Sequence, residues 1–139
     1  AFSRGKGLFQ AVDYQPSAEL PDAEYPYILT TGRILYHYHT RTMTGEVTGL
    51  NRLAGESFVE VNPKTAAKLG INDGDMVRVS SRRGHVMTKA KVAERIREDV
   101  LFMPFHYAEG NANDVTNTAL DPKAKIPELK VCAVALTKL

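Results

Sequence analysis

The sequence predicts a mainly-β domain, a small barrel or sandwich of short strands with one short helix and two long loops. Three observations carry this expectation. Ten glycines and seven prolines in 139 residues favour strands joined by many turns over a helical bundle. Alternation of period two runs through Val77 and Val79, and again through Val86, Thr88, Ala90 and Val92, the spacing that lines one face of a strand with apolar groups. A clear helix start occurs at one place, Asn62-Pro63. The length suits one domain with a core of its own.

Residues 1–24 read as an extended lead-in from a preceding domain, with the barrel domain over 25–139. Pro16, Pro21 and Pro26 stand among Asp13, Glu19, Asp22 and Glu24, and the apolar Phe2, Leu8, Phe9 and Val12 need a surface to lie on. The chain begins with Ala rather than Met, which suggests a piece of a longer protein. Residues 27–31 form a short strand candidate that Gly32 ends. From 33 to 57 the pattern fails, and so long an irregular stretch in a compact domain points to function. A strand resumes at 58–61. Asn62 can then cap a helix over 64–69, with Pro63 pre-organised at its first position and Gly70 suited to the left-handed residue beyond its end.

After a turn over 72–75, strand 76–81 meets strand 86–92 in a hairpin that turns around Arg83-Gly84. A register slip of one residue would bury Lys89 and Lys91, so the pairing is strongly specified. The apolar run 100–103 reads as a central strand with Pro104 at its end. A second irregular segment spans 106–127, and 131–136 is the final strand. Cys132 lies in that strand, where a small buried packing residue is the natural reading; one cysteine also excludes an intrachain disulfide or an all-cysteine metal site.

The net charge is +2. Basic residues concentrate between 78 and 97, where Arg78, Arg82, Arg83, Lys89, Lys91, Arg95 and Arg97 face only Glu94. This is either a solvated strand face or a docking surface for something anionic. Aromatic residues are absent from the stretch, so it lacks a stacking platform and nucleic acid is not the expected partner. No stretch approaches the ~20 apolar residues of a membrane span, and neither direct membrane insertion nor an N-terminal signal peptide is expected; a cytoplasmic location follows as an expectation.

Three segments are too polar to be mere connections. Thr30-Thr31-Gly32-Arg33, followed by Tyr36-His37-Tyr38-His39-Thr40, offers a glycine for close backbone approach and an arginine that can fork onto phosphate; a turn glycine and a surface arginine are the alternative. Histidines two apart face the same way on a strand, but zinc needs further ligands and no cysteine lies nearby, so His37 and His39 are expected to hydrogen-bond a polar ligand or the backbone. Residues 105–117 crowd His106, Asn111, Asn113, Thr116 and Asn117 beside a buried strand. Such amides can read the edge of a heterocycle, or can satisfy their own loop. Lys130, just before the last strand, is held more firmly than Lys123 or Lys125. No phosphate-binding Gly-x-x-x-x-Gly-Lys-Ser/Thr loop, nucleophile elbow or dinucleotide fingerprint occurs.

Taken together, Tyr25-Pro26-Tyr27-Ile28-Leu29-Thr30-Thr31-Gly32-Arg33 and Tyr36-His37-Tyr38-His39-Thr40 resemble the opening of the molybdopterin-dinucleotide-binding domain of the dimethyl sulfoxide reductase superfamily. Val61-Asn62-Pro63, Asp73-Gly74-Asp75 and Val77-x-Val79-x-Ser81-x-Arg83-Gly84 match the same domain. Phe102-Met103-Pro104-Phe105-His106-Tyr107, Asn113-x-x-Thr116-Asn117 and Lys125-Ile126-Pro127-Glu128-x-Lys130 resemble its formate dehydrogenase branch. The resemblance implies a six-stranded double-psi β barrel at the C-terminus of a catalytic α subunit. It also implies a bis-molybdopterin guanine dinucleotide carrying molybdenum or tungsten, bound here by Thr31, Gly32, Arg33, His37, His39, Thr40, Asn113 and Lys130. No catalytic or metal-ligating residue carries over, and the domain alone is expected to be inactive. The implied partners are the preceding domains of the same subunit, iron–sulfur electron-transfer subunits, and formate as the parent's substrate. The alternatives are the same domain from a nitrate reductase or formylmethanofuran dehydrogenase, and a stand-alone barrel that binds a nucleotide, nucleic acid or protein.

Overall fold

A computed structural model describes residues 2–139. Six strands, β1 (Tyr27–Gly32), β2 (Phe58–Val61), β3 (Met76–Ser80), β4 (His85–Val92), β5 (Val100–Pro104) and β6 (Cys132–Lys138), close into a barrel in the order β1-β5-β2-β4-β3-β6. This is the mainly-β, six-stranded double-psi barrel that the resemblance implied. The pairs β1/β5 and β2/β4 are parallel, and the other four are antiparallel. Closure leaves no sheet edge unpaired.

The alternations select the core. Val77 and Val79 pair with Thr88 and Val86, and all four point inward, while Met87, Lys89 and Lys91 point out. Leu29, Val59, Val61, Leu101, Met103 and Val134 complete the interior with no measurable exposure; each side chain of this kind stabilises the fold by roughly 1.5–3 kcal/mol. Cys132 is buried among them, and burial pushes its thiol pKa up, as a packing residue requires.

Helix α2 (Pro63–Leu69) forms where its caps predict. Asn62 Oδ1 accepts from Lys64 N–H at 2.9 Å, and Gly70 takes φ +66°. Helix α1 (Thr48–Ala54) and a 3-10 turn at Thr44–Glu46 lie inside the stretch expected to be irregular. Val47 precedes α1 with no side-chain cap, and α1 buries no residue, so neither a cap nor an apolar face announces it.

The basic stretch 78–97 is divided and largely neutralised. Arg82 and Arg83 donate to Glu19 Oε1 at 2.6 and 2.9 Å. Arg82 also pairs with Asp22 and stacks over Tyr25, 4.7 Å from the ring centre. On another face Lys89 pairs with Glu56 at 2.5 Å, and Lys91 and Arg95 both face the buried carboxylate of Glu60. The chain's own carboxylates are thus the anions that this surface meets. The end of the lead-in, with Tyr25 after it, is a strap over residues 18–25 on the β3–β4 turn, whereas Phe9, Val12 and Tyr14 upstream are almost fully exposed.

Burial raises the Glu19 carboxyl pKa, but bonds from Arg83 and Arg82 outweigh it and leave the pKa below the usual value. Asp22 is lowered as well, first by the Tyr25 backbone N–H. Groups with depressed folded pKa values stabilise above the ordinary carboxylate range, and that contribution is lost as pH falls through the lowered values. Acidification is therefore expected to free residues 18–25 while the barrel strands stay protected. Amide exchange across an acid titration checks this; a strap that remains protected in Glu19→Gln would contradict it.

Candidate functional site

The strand directions bring both long connections to one end of the barrel. Gly32 lies beside Pro104 at the end of β1 and β5. The antiparallel β2 starts there, β4 starts beside it, β3 ends there, and β6 begins there opposite Leu29. Segments 33–57 and 105–131 therefore cap the same end, together with the turn at 81–84. All eight residues proposed from sequence, Thr31, Gly32, Arg33, His37, His39, Thr40, Asn113 and Lys130, lie at that end or in those segments.

Three chain segments meet at Thr31-Gly32-Arg33. Thr31 is buried, and its Oγ1 donates to the Leu129 carbonyl at 2.8 Å. The Thr31 carbonyl accepts from the Lys130 ammonium, which sets the exposed Lys130 beside β1 with further N–H groups to give. The Gly32 carbonyl accepts from Phe105 N–H at 3.1 Å. A Cβ on Gly32 would stand 2.7 Å from Phe102 Cε2, so the protein's own ring already requires glycine here. Arg33 is exposed, its guanidinium 5.4 Å from the centre of the Phe105 ring. Among the described residues no carboxylate pairs with it.

The two histidines do not share a face, because residues 37–39 are not a strand. His37 is buried; its Nε2 lies 2.6 Å from the Ala54 carbonyl, to which it donates, and its Nδ1 lies 3.0 Å from Thr44 Oγ1. Both ring nitrogens are bonded inside the loop, one of them to the backbone, which is one of the two kinds of partner expected for it. His39 is exposed with φ +48°. Thr40 is exposed, its hydroxyl 2.8 Å from that of Thr42. Asn113 stands exposed in the 3-10 turn Ala112–Asp114, with its backbone fixed by Asn111 Oδ1 and the Thr116 hydroxyl at 3.1 Å each. Asn111 and Asn117 do what loop asparagines often do and serve their own chain: Asn117 Nδ2 donates to the Val131 carbonyl at 2.7 Å. Only the Asn113 amide is left without an intramolecular bond among these three.

Beneath these groups lies a buried cluster of Tyr107, His106 and Arg41, of which the sequence marked the first two through their segment and did not mark Arg41. Tyr107 is almost fully buried and donates to the Ala54 carbonyl at 2.9 Å; burial raises its pKa, with Arg41 pulling the other way. The Arg41 guanidinium sits 5.0 Å from the Tyr107 ring centre and donates to Asn51 Oδ1 at 2.8 Å. His106 is 3% exposed and bonded at both nitrogens to the 33–40 loop. The signal for His106 and Tyr107 was the polar density after β5; nothing local marked Arg41.

An open groove of about 1200 Å³ runs along the outside of β1, β5, β2 and β4, lined by Phe58, Glu60, Lys91, Arg95 and Phe102, and it borders the capping loop at residues 33–36 and 51–57. Of the eight proposed residues only Arg33 borders it.

The family model described as "Molydopterin dinucleotide binding domain" matches residues 27–133. The F420-dependent formate dehydrogenase subunit alpha of Methanocaldococcus jannaschii is 53% identical over 97% of this chain and 20% of that protein. A nitrate reductase of Symbiobacterium thermophilum is 44% identical over 96% of this chain and 18% of that protein. The chain thus spans about a fifth of the length of the curated relatives it matches. Acetylene hydratase from Pelobacter acetylenicus superposes with a TM-score of 0.74 at 19% identity, over 83% of this chain and 18% of that one; it shares the fold.

Gly32→Ala is expected to displace the Phe102 ring and to lower stability by about 1–3 kcal/mol, the usual cost of overpacking. Denaturant midpoints and Phe102 ring shifts measure both effects, and adding Phe102→Leu should recover most of the loss. An unmoved Phe102 with an unchanged midpoint would contradict it.

Proposed function

The chain belongs to the molybdopterin dinucleotide-binding domain family, and on that premise we propose that the loop-capped end of the barrel holds a bis-molybdopterin guanine dinucleotide of a formate dehydrogenase catalytic subunit. One observation carries the reading: both long connections converge on the end where Arg33, Lys130 and Asn113 present free donors. That set fits the group. The eight residues include no carboxylate, two of them are fixed cations, and the Asn113 amide has its hydrogen-bonding capacity unspent.

In this reading Arg33 and Lys130 hold pyrophosphate, since guanidinium and ammonium form charge-assisted bonds to phosphate oxygens. Asn113, Thr40 and His39 meet the polar edges of pterin or guanine. Thr31 and His37 keep their internal bonds and position their neighbours. Gly32 lets the β1 end approach the ligand. The bound group, with molybdenum or tungsten, supplies the two-electron chemistry, and the protein supplies binding and orientation.

Residues 1–24 then lead in from the preceding domain of the same subunit. The exposed Phe9, Val12 and Tyr14 would pack there, and iron–sulfur subunits would carry the electrons away. The assignment to formate rests on identities of 53% and 49% to formate dehydrogenase α subunits. The 44% identity to a nitrate reductase supports a second reading, the same domain with a different parent substrate.

The test uses the full-length parent carrying Arg33→Ala or Lys130→Ala. Losing one charge-assisted bond costs about 1.5–3 kcal/mol, so cofactor affinity should fall by about tenfold or more. The retained pterin, oxidised to its fluorescent form and quantified, reports it. Formate-dependent dye reduction should fall in proportion, whereas the barrel alone should reduce none. Unchanged pterin content in both variants would refute the site, and turnover of nitrate in place of formate would select the second reading.

A further inference from the structure

His106 stands where the second long segment leaves β5, and it is not among the residues proposed to touch the ligand. Its Nε2 accepts the Ile34 N–H at 3.0 Å, and its Nδ1 is bonded to the His39 carbonyl. Only one form of the ring satisfies both partners, because a carbonyl accepts and a backbone N–H donates. That form is neutral, with its proton on Nδ1. Ile34 directly follows Arg33, and His39 directly precedes Thr40. The ring therefore ties together the two ends of the short loop on which Arg33, His39 and Thr40 are carried.

We infer that His106 is a positioning residue: its imidazole clamps the Ile34 backbone to the His39 backbone and so sets the shape in which the loop offers Arg33 to an anionic ligand. This rests on the function proposed above and adds a dependence on pH to it. The ring packs on Phe105 at 4.7 Å between centres, and near it stand His37 at 6.0 Å and Tyr107 at 6.3 Å. The charged or titratable groups that face it are Arg33, His37 and His39 from the loop and Tyr107 from its own segment. Arg41, which covers Tyr107, has Glu109 4.0 Å away. Burial lowers the His106 pKa; the His39 carbonyl opposes that, and His37, Arg33 and His39 add to it.

The clamp is therefore complete above the ordinary histidine pKa and is lost as pH falls through the lowered folded value. Protonation would place an N–H against the Ile34 N–H, a loss that the His39 bond cannot offset. His37 donates from Nε2 to the Ala54 carbonyl, whereas His106 donates from Nδ1 to the His39 carbonyl, so the two buried histidines are distinguishable.

The test uses the isotopically labelled chain. Long-range nitrogen–proton correlations should find His106 neutral and protonated on Nδ1. Protection of the Ile34 amide should drop about tenfold as His106 titrates, the weight of one hydrogen bond, while Leu29 in β1 stays protected. His106→Gln keeps an acceptor near the Nε2 position, so Ile34 protection should persist without a step at acid pH. His106→Asn keeps only the donor side and should lose that protection at every pH.

Guanosine diphosphate should bind the wild-type chain about tenfold more weakly at acid pH and His106→Gln equally at both. A proton found on Nε2, or Ile34 protection with no step while His106 titrates, would overturn the inference. Guanosine diphosphate that binds at neither pH would count against the proposed function, while the tautomer and the Ile34 amide would still decide the clamp.

Discussion

Strand β1 lies between β5, which runs parallel to it, and β6, which runs antiparallel, and this closing contact governs everything at the site. A closed barrel has to give every strand two neighbours. With β5 parallel to β1, the end of β5 comes to rest beside Gly32, and the segment that leaves β5 starts where the segment after β1 also starts. Because β2 is antiparallel to β5 and β6 is antiparallel to β1, both segments must also return to that end. Two long loops that could have been on opposite sides are compelled to cap one opening. The other end carries only the compact connection through α2 and residues 93–99.

Those loops are ordered from beneath by polar groups that bond to the loop backbone. His37, Tyr107 and Arg41 converge on the backbone of residues 51–55, and Ala54 alone accepts from two of them. Leaving such groups unpaired in the interior would cost more than their bonds contribute. The cluster is thus strongly committed to one loop shape, and the exposed donors inherit that shape. Arg33 and Asn113 owe their availability to neighbours that are already satisfied.

How much of this was legible follows the range of each signal. Local signals read well. Asn62, Pro63 and Gly70 announced α2, and the alternation through Val77–Val79 and Val86–Val92 set the hairpin and its inward face. Cys132 was legible as a packing residue because its neighbours are apolar. The Tyr25–Arg33 and Phe102–Tyr107 motifs carried the family resemblance. Helix α1 was not legible, since Val47 offers no cap and no α1 residue is buried. The facing of His37 and His39 depended on assuming a strand where a turn with left-handed His39 and Arg41 occurs. The neutralisation of Arg82 and Arg83 needed Glu19, more than sixty positions away, and the convergence of the loops needed the strand order, which no local pattern encodes.

The proposed position of the anionic cofactor is the loop-capped end and not the groove along the outside of β1, β5, β2 and β4. Titrating the labelled chain with guanosine diphosphate separates the two, because they share residues 33–36 while Asn113 and Lys130 lie outside the groove and Phe58, Lys91 and Arg95 line it. Amide shifts confined to 31–40, 105–117 and 129–131, and abolished by Arg33→Ala, are the predicted result. Shifts centred on Phe58, Lys91 and Arg95, with the Thr31–Arg33 amides unmoved, would contradict it.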